Sequence, residues 1–344
     1  MTTTKTLPQA QTAGYVRMPK AQGLYDPANE HDACGVGFVA NIKGEKTHDI
    51  VMRGLQVNVN MTHRGAEGAD NKSGDGAGIL IQMPHEFFKS VMEDLPESGK
   101  YASGLVFLPK NADAAKKCVE TLNHYVESEG LSVIGWRDVP VDSSCVGEIA
   151  LRNEPCIKQI FIRSKGEEAD KFERKLYMIR KQAEIRVRQS NIIDKESYYV
   201  VSLSCRTFIY KGMLTPKQLG EYFLDLRDPK VASAIAVVHS RFSTNTFPTW
   251  DLAQPFRMIA HNGEINTIRG NRLWMQAREG ILQSDLFGDD LKKCFPIVEP
   301  NMSDSASFDN VFEFLVQAGR TMPQALTMMV PESWNEKNPI PRAV

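Results

Sequence analysis

The sequence predicts one mixed domain of the α+β class, with sheets covered by helices, and three observations carry that expectation. Short apolar runs bounded by glycine recur along the chain, as buried strands usually do. Only a few long amphipathic segments separate them, and they do not alternate regularly with the strand-like runs, which disfavours a doubly wound parallel sheet. No internal repeat or long linker interrupts residues 34–320.

The elements follow in order. Residues 1–25, proline-punctuated, polar and without periodicity, read as a flexible arm. From Cys34 the pattern changes: "GVGFVANI" (35–42) and "GILIQM" (78–83) are strand-like, and "PHEFFKSVME" (84–93) reads as a helix opening on proline. "ASGLVFLP" (102–109) is the next strand. In the helix that follows, Ala115, Val119, Leu122 and Val126 share one face and Gly130 marks the end. "LSVIGWRDVPV" (131–141) and "IKQIFIRS" (157–164) return to strands. The clearest helix spans 170–190, where Phe172, Leu176, Ile179, Ala183 and Val187 form one stripe. "YYVVSLSCRTFIYKG" (198–212) and "ASAIAVVHSRFST" (232–244) read as strands, and "SFDNVFEFLVQAG" (307–319) as a late amphipathic helix.

Composition excludes several classes. A formal net charge of -1 gives no general pull toward nucleic acid or anionic membrane. No apolar run approaches the roughly 20 residues of a membrane-spanning helix. The six cysteines, Cys34, Cys118, Cys145, Cys156, Cys205 and Cys294, contain no C-x-x-C pair, so zinc-ribbon and thioredoxin-type readings lose their support. Without an apolar leader a disulfide framework is also unexpected, and the expected compartment is the cytoplasm.

Four stretches invite chemistry. Cys34, in "HDACGVGF", is a glycine-flanked thiol with no base beside it in sequence. The glycines of "HRGAEGADNKSGDGAGIL" (63–80) lack phosphate-loop spacing and run into a strand, so a tight bend close to another backbone or a small ligand is the better reading. Arg241 lies at the C-terminal end of the strand "AIAVV", where a guanidinium could clamp a carboxylate through two parallel bonds; a surface salt bridge is the plainer alternative. Asn262-Gly263 is a strong hairpin signal, and it also offers a side-chain amide and an unhindered N–H, the two donors of an oxyanion hole. In "EPNMSDSASFDN", Asp304 and Ser305 could cap a helix, or Asp304 could bind an ammonium group.

Taken together, "HDACGVGF", "HRGAEGADNKSGDGAGIL", "HSRFSTNTFPTWDLAQPFRMIAHNGEINTIRGN" and "SDSASFDN" resemble the glutaminase region of the glutamate synthase large chain, in matching order from residue 25 to about 335. That region is a class II glutamine amidotransferase of the N-terminal-nucleophile hydrolase type. The resemblance implies an αββα four-layer sandwich, truncated here at its C-terminal end. It also implies a leader, residues 1–33, whose removal makes Cys34 the first residue of an amidotransferase domain over 34–344. The α-amine of Cys34 then serves as its base. An α-amine titrates near 7.7–8.0 and a thiol near 8.5, so exchange of a proton between them costs little.

Carried over by motif, Cys34 attacks the side-chain amide of L-glutamine, and Asn262 and Gly263 hold the oxyanion. Arg241 takes the substrate α-carboxylate and Asp304 its α-ammonium. Glu264 assists with the ammonium, and Arg64 lies near the thiol. No metal is expected, and no cofactor in this chain. For a longer parent the resemblance implies FMN and an iron–sulfur cluster, a synthase domain on the same chain that consumes the ammonia with 2-oxoglutarate, and a small electron-donating subunit. The alternatives are another class II amidotransferase, against which the stretch near "SGDGAG" and the long segment at about 95–215 argue, and an unprocessed module without activity.

Overall fold

In the computed structural model the described residues are Gln22, 35–241 and 247–330. The expected leader, save Gln22, and Cys34 itself lie outside them.

Two antiparallel sheets of four strands make up the β structure of the described residues. The first is ordered β1 (Val36–Ala40), β8 (Ile235–Ser240), β2 (Ala77–Gln82), β7 (Thr207–Gly212). The second is ordered β4 (Ser132–Asp138), β5 (Cys156–Arg163), β3 (Tyr101–Leu108), β6 (Tyr199–Val200). Its strands all come from the segment between β2 and β7, so one sheet is nested within the sequence of the other. That arrangement separates two elements read as one: the run 198–212 splits into β6 and β7, which belong to different sheets. The break is chemical. Ser204 Oγ accepts from the N–H groups of Arg206 and Thr207, and Glu173 takes the Cys205 N–H. These bonds turn the chain out of one ladder and into the other.

Alternation along the strands sets the packing. Ala102, Val106 and Leu108 of β3, with Ile160 and Ile162 of β5, face the helices α3 (Ala112–Ser128) and α5 (Ala169–Gln189). The predicted stripe of α5, Phe172 to Val187, is buried there, each large apolar side chain contributing roughly 1.5–3 kcal/mol. The alternate residues Tyr101, Leu105, Phe107 and Phe161 join Ile79, Ile81, Phe208 and Tyr210 of the first sheet in a larger core. Phe87 and Phe88 of α2 (His85–Val91) complete that core, Phe88 lying edge-on to both Phe161 and Phe208.

The helix α1 (His48–Asn60) has no counterpart in the strand-and-helix reading of the sequence. Thr47 caps it, and its Ile50, Val51 and Leu55 pack on the first sheet. Gly54 allows the approach: a Cβ there would stand 3.4 Å from Ile79 and closer still to Ala236. Two further helices are short, α4 (Glu148–Arg152) and α6 (Pro216–Tyr222); α6 packs beside α1 and opens with a capping box between Thr215 and Gln218. The chain ends its described course in α7 (Ile268–Glu279), α8 (Asp304–Gln317) and α9 (Met322–Met329). Ion pairs bind α5 to this last part: Arg180, held within the helix by Glu184, reaches Glu313, while Lys181 and Arg188 share the buried Glu299.

Candidate active site

Of the expected site residues, Arg64, Arg241, Asn262 and Asp304 come near the C-terminal end of β8, and the ladder of the first sheet explains why. β8 is the inner neighbour of both β1 and β2. Beyond the last pair of the β1–β8 register, the Ser240 N–H donates to the Gly35 carbonyl at 2.7 Å. On the other side the Arg241 N–H donates to the Gly76 carbonyl at 2.8 Å. The glycine-rich segment is therefore a bend rather than a phosphate loop. Gly76, at φ +148°, holds a backbone angle that glycine alone takes easily, and a Cβ on it would press on Ala253 and Arg241.

Arg241 is only 8% exposed. Burial pulls the pKa of its guanidinium down, opposed by the carboxylates of Asp75, Asp251 and Asp304. The carboxylate of Asp304 thus acts on Arg241 electrostatically. The helix cap expected of Asp304 belongs to Ser303, whose hydroxyl accepts from the Ala306 N–H. Asp304 is the first residue of α8; its Oδ1 accepts from Ser305 N–H at 2.6 Å and its Oδ2 from Ile265 N–H at 3.3 Å.

Asn262 and Gly263 lie close by, though not in a hairpin. No strand flanks them, and neither has the positive φ that a type I′ turn requires. Side chains have taken the backbone groups that a hairpin ladder would use. Asp309 Oδ1 accepts from the N–H groups of Met258 and Ile259, Gln254 Oε1 from that of His261, and Asp304 from that of Ile265. The Gly263 N–H donates to His261 Nδ1 at 3.1 Å. The Asn262 amide nitrogen stands 2.9 Å from the position of a Cβ on Gly35.

Arg64 ends a short 3-10 turn, and its Nε is buried with no hydrogen-bond partner among the described residues. The following Gly65 leaves room for Ser240 Oγ, 2.7 Å from where a Cβ would sit, so this turn abuts the same end of β8. Glu264 is exposed. Cys34, the expected nucleophile, lies outside the described residues, as do residues 242–246.

Sequence reasoning passed over His239, Gln254 and His261. His239 is buried; its Nε2 lies 3.0 Å from the His261 carbonyl. Burial drives its pKa down to about 4, against the opposing pull of the His261 carbonyl and the Asn262 side chain. Its signal was its place at the end of β8, two residues before Arg241, which directly follows the strand. Among the described residues no three His, Cys, Asp or Glu side chains come together as a metal site. No described helix is long and apolar enough to cross a membrane.

Comparison with known proteins agrees with the motif reading. Residues 34–343 match the family described as glutamine amidotransferases class-II. The glutamate synthase (NADPH) large chain of Bacillus subtilis (strain 168) is 48% identical over 94% of this chain, which covers 21% of that protein. The glutamate synthase (NADH) of Saccharomyces cerevisiae is 48% identical over 93% of this chain, covering 15% of that protein. The chloroplastic ferredoxin-dependent glutamate synthase of Oryza sativa subsp. japonica is 40% identical over 95% of this chain, covering 20% of it. The chain therefore spans about a fifth or less of the length of these relatives, and by the match across nearly all of its own length it belongs to the class II glutamine amidotransferases.

Proposed function

We propose that this chain is the glutaminase part of a glutamate synthase, hydrolysing L-glutamine to L-glutamate and releasing ammonia for a synthase portion of a longer parent. The observation that carries the reading is the convergence of Gly35, Arg241, Asn262 and Asp304 at one end of β8.

In this reading residues 1–33 are removed and the freed α-amine of Cys34 takes the thiol proton. A nitrogen in a peptide bond cannot, so the uncut chain is inert. The thiolate attacks the δ-carbon of glutamine; Asn262 Nδ2 and the Gly263 N–H receive the negative charge that develops on the amide oxygen. Gly263 must exchange its present acceptor, His261 Nδ1, for that oxygen. The amine returns the proton to the leaving nitrogen, ammonia departs, and water hydrolyses the γ-glutamyl thioester to glutamate and the free thiol. Arg241 pairs with the α-carboxylate, Asp304 and Glu264 with the α-ammonium, and Arg64, whose Nε is buried with no hydrogen-bond partner among the described residues, is a further donor of the site. A ligand lacking either charge leaves a buried partner unmatched, which selects glutamine over simple amides.

The two sheets with α1 on the first and α3 and α5 on the second support an αββα sandwich of the N-terminal-nucleophile hydrolase type. Among the described residues no cluster of His, Cys, Asp or Glu offers the ligands of an iron–sulfur centre. The described cysteines are scattered, and burial raises Cys118 to about 11 and Cys294 to about 12, far from the thiolate a cluster needs. FMN, the iron–sulfur cluster, the synthase domain and a small electron-donating subunit fall to the parent, and the free thiols fit a cytoplasmic setting.

Mass measurement of the purified protein with a glutaminase assay tests the proposal. Turnover of glutamine by a protein that begins at Cys34, lost in Cys34→Ser, is the expected result. A protein that begins at Cys34 yet releases no glutamate from glutamine would overturn it, leaving an inert folded module.

A further inference from the structure

We infer that His239 and Gln254 are positioning residues that set the oxyanion-binding turn Asn262-Gly263 against β8, by gripping the two sides of the His261 backbone. The inference rests on the glutaminase reading above and goes beyond it, since neither residue is given a substrate contact there.

The turn needs such a grip because no strand ladder provides one. The segment 257–267 contains no strand, and Asn262 and Gly263 are exposed. An oxyanion donor displaced by about 1 Å can cost on the order of a hundredfold in rate, so something must fix it. Immediately before Asn262, both polar groups of one backbone residue are held. The His261 N–H donates to Gln254 Oε1 at 3.0 Å, and the His261 carbonyl lies 3.0 Å from His239 Nε2. A carbonyl only accepts, so the imidazole carries its proton on Nε2, and burial keeps the ring neutral so that this tautomer persists.

Both grips are rooted in the first sheet. His239 stands on β8 two residues before Arg241, which directly follows the strand, so the end of one strand sets both the carboxylate clamp and the anchor of the oxyanion turn. Gln254 is buried, and its backbone carbonyl lies against β2: a Cβ on Gly78 would collide with it. Lys211 of β7 donates from Nζ to the Asp251 carbonyl at 2.7 Å, fixing the segment that leads to Gln254. Three adjacent strands thus determine where one peptide sits, and the next two residues inherit that placement.

The test compares His239→Leu, His239→Gln and Gln254→Met with the unaltered protein beginning at Cys34. A glutamine at 239 can place an amide N–H near the position of Nε2, whereas leucine cannot. The expected result is a fall in kcat of roughly tenfold to a hundredfold for His239→Leu and Gln254→Met. KM for glutamine should stay within about threefold, and His239→Gln should recover most of the rate. Amide hydrogen exchange supplies a readout independent of turnover: peptides covering 261–263 exchange faster in His239→Leu and Gln254→Met, while β3 is unchanged. Unaltered kcat and exchange in both variants overturn the inference, as does a loss of rate that His239→Gln fails to restore. An unaltered protein without glutaminase activity, but with faster exchange in the variants, removes the glutaminase reading and leaves the anchoring intact.

Discussion

The side-chain nitrogen of Asn262 lies 2.9 Å from the point where a Cβ on Gly35 would be. That gap is filled by nothing more than a hydrogen, on the residue directly after the expected nucleophile. Gly35→Ala would drive a methyl into Asn262 on one side and into the Ser240 carbonyl on the other, and the latter is backbone that cannot rotate away. We expect this substitution to cost about 1–3 kcal/mol of stability and most of the glutaminase activity. Thermal unfolding alongside glutamine turnover checks it; a fully active alanine variant would mean that the approach of Asn262 to Gly35 has no part in catalysis.

Arg241→Lys keeps the positive charge and loses the planar fork. Charge-assisted bonds are each worth about 1.5–3 kcal/mol, so the KM for glutamine should rise by roughly ten- to a hundredfold while kcat falls less. Steady-state kinetics decide the matter, and a wild-type KM in this variant would remove Arg241 from the substrate clamp.

The buried imidazole of His239 makes stability depend on pH. Its folded pKa, about 4, lies below the ordinary 6.5, so the folded state favours the neutral ring. The contribution is complete above pH 6.5 and disappears as the pH falls toward 4, up to roughly 3 kcal/mol over the whole window. His239→Gln should flatten that part of the profile in urea melts at about pH 7.5, 5.5 and 4.5. An unchanged slope across that window would assign the acid sensitivity to other groups.

Glu299 is shared by Lys181 and Arg188, and Lys181 is almost wholly enclosed. Neutralising the carboxylate leaves a buried ammonium facing only the Pro296 and Ile297 carbonyls. Glu299→Gln should therefore destabilise by about 3–5 kcal/mol, and adding Lys181→Met should recover much of the loss. A denaturation cycle over the two singles and the double measures the coupling; additive losses would show that the pair is not energetically linked.

How far the sequence discloses this molecule depends on where the information lies. The α5 stripe and the strands β2, β3, β5 and β8 were legible because burial on one face imposes a regular period. The helix α1 was not. Its buried positions Ile50, Val51, Gly54, Leu55 and Asn58 mix glycine and a polar residue into the apolar face, and valines dilute its helical character. The hairpin expected at Asn262-Gly263 failed for a different reason. A turn signal is local, and the acceptors that overrode it come from Gln254, Asp304 and Asp309, up to 51 residues away in sequence. Position at a strand end or a helix start singled out Arg241 and Asp304 as candidates, but only the motif likeness gave each a role, since such a charged residue carries no period. His239 stayed hidden because it reads as one more polar residue at the end of an apolar strand, until the fold supplies the carbonyl it meets.

The nesting of one sheet inside the other has a bearing on how such a chain can vary. Gln82 and Thr207 are paired partners in the β2–β7 ladder, so the excursion that builds β3 to β6 departs and comes home at a single rung. Growth or shrinkage at the far loops of that excursion leaves the alignment of the first sheet's strands alone, because the departure and return points are already fastened together. The far loops of the β3–β6 segment are thus free to diverge in length while the first sheet remains in register.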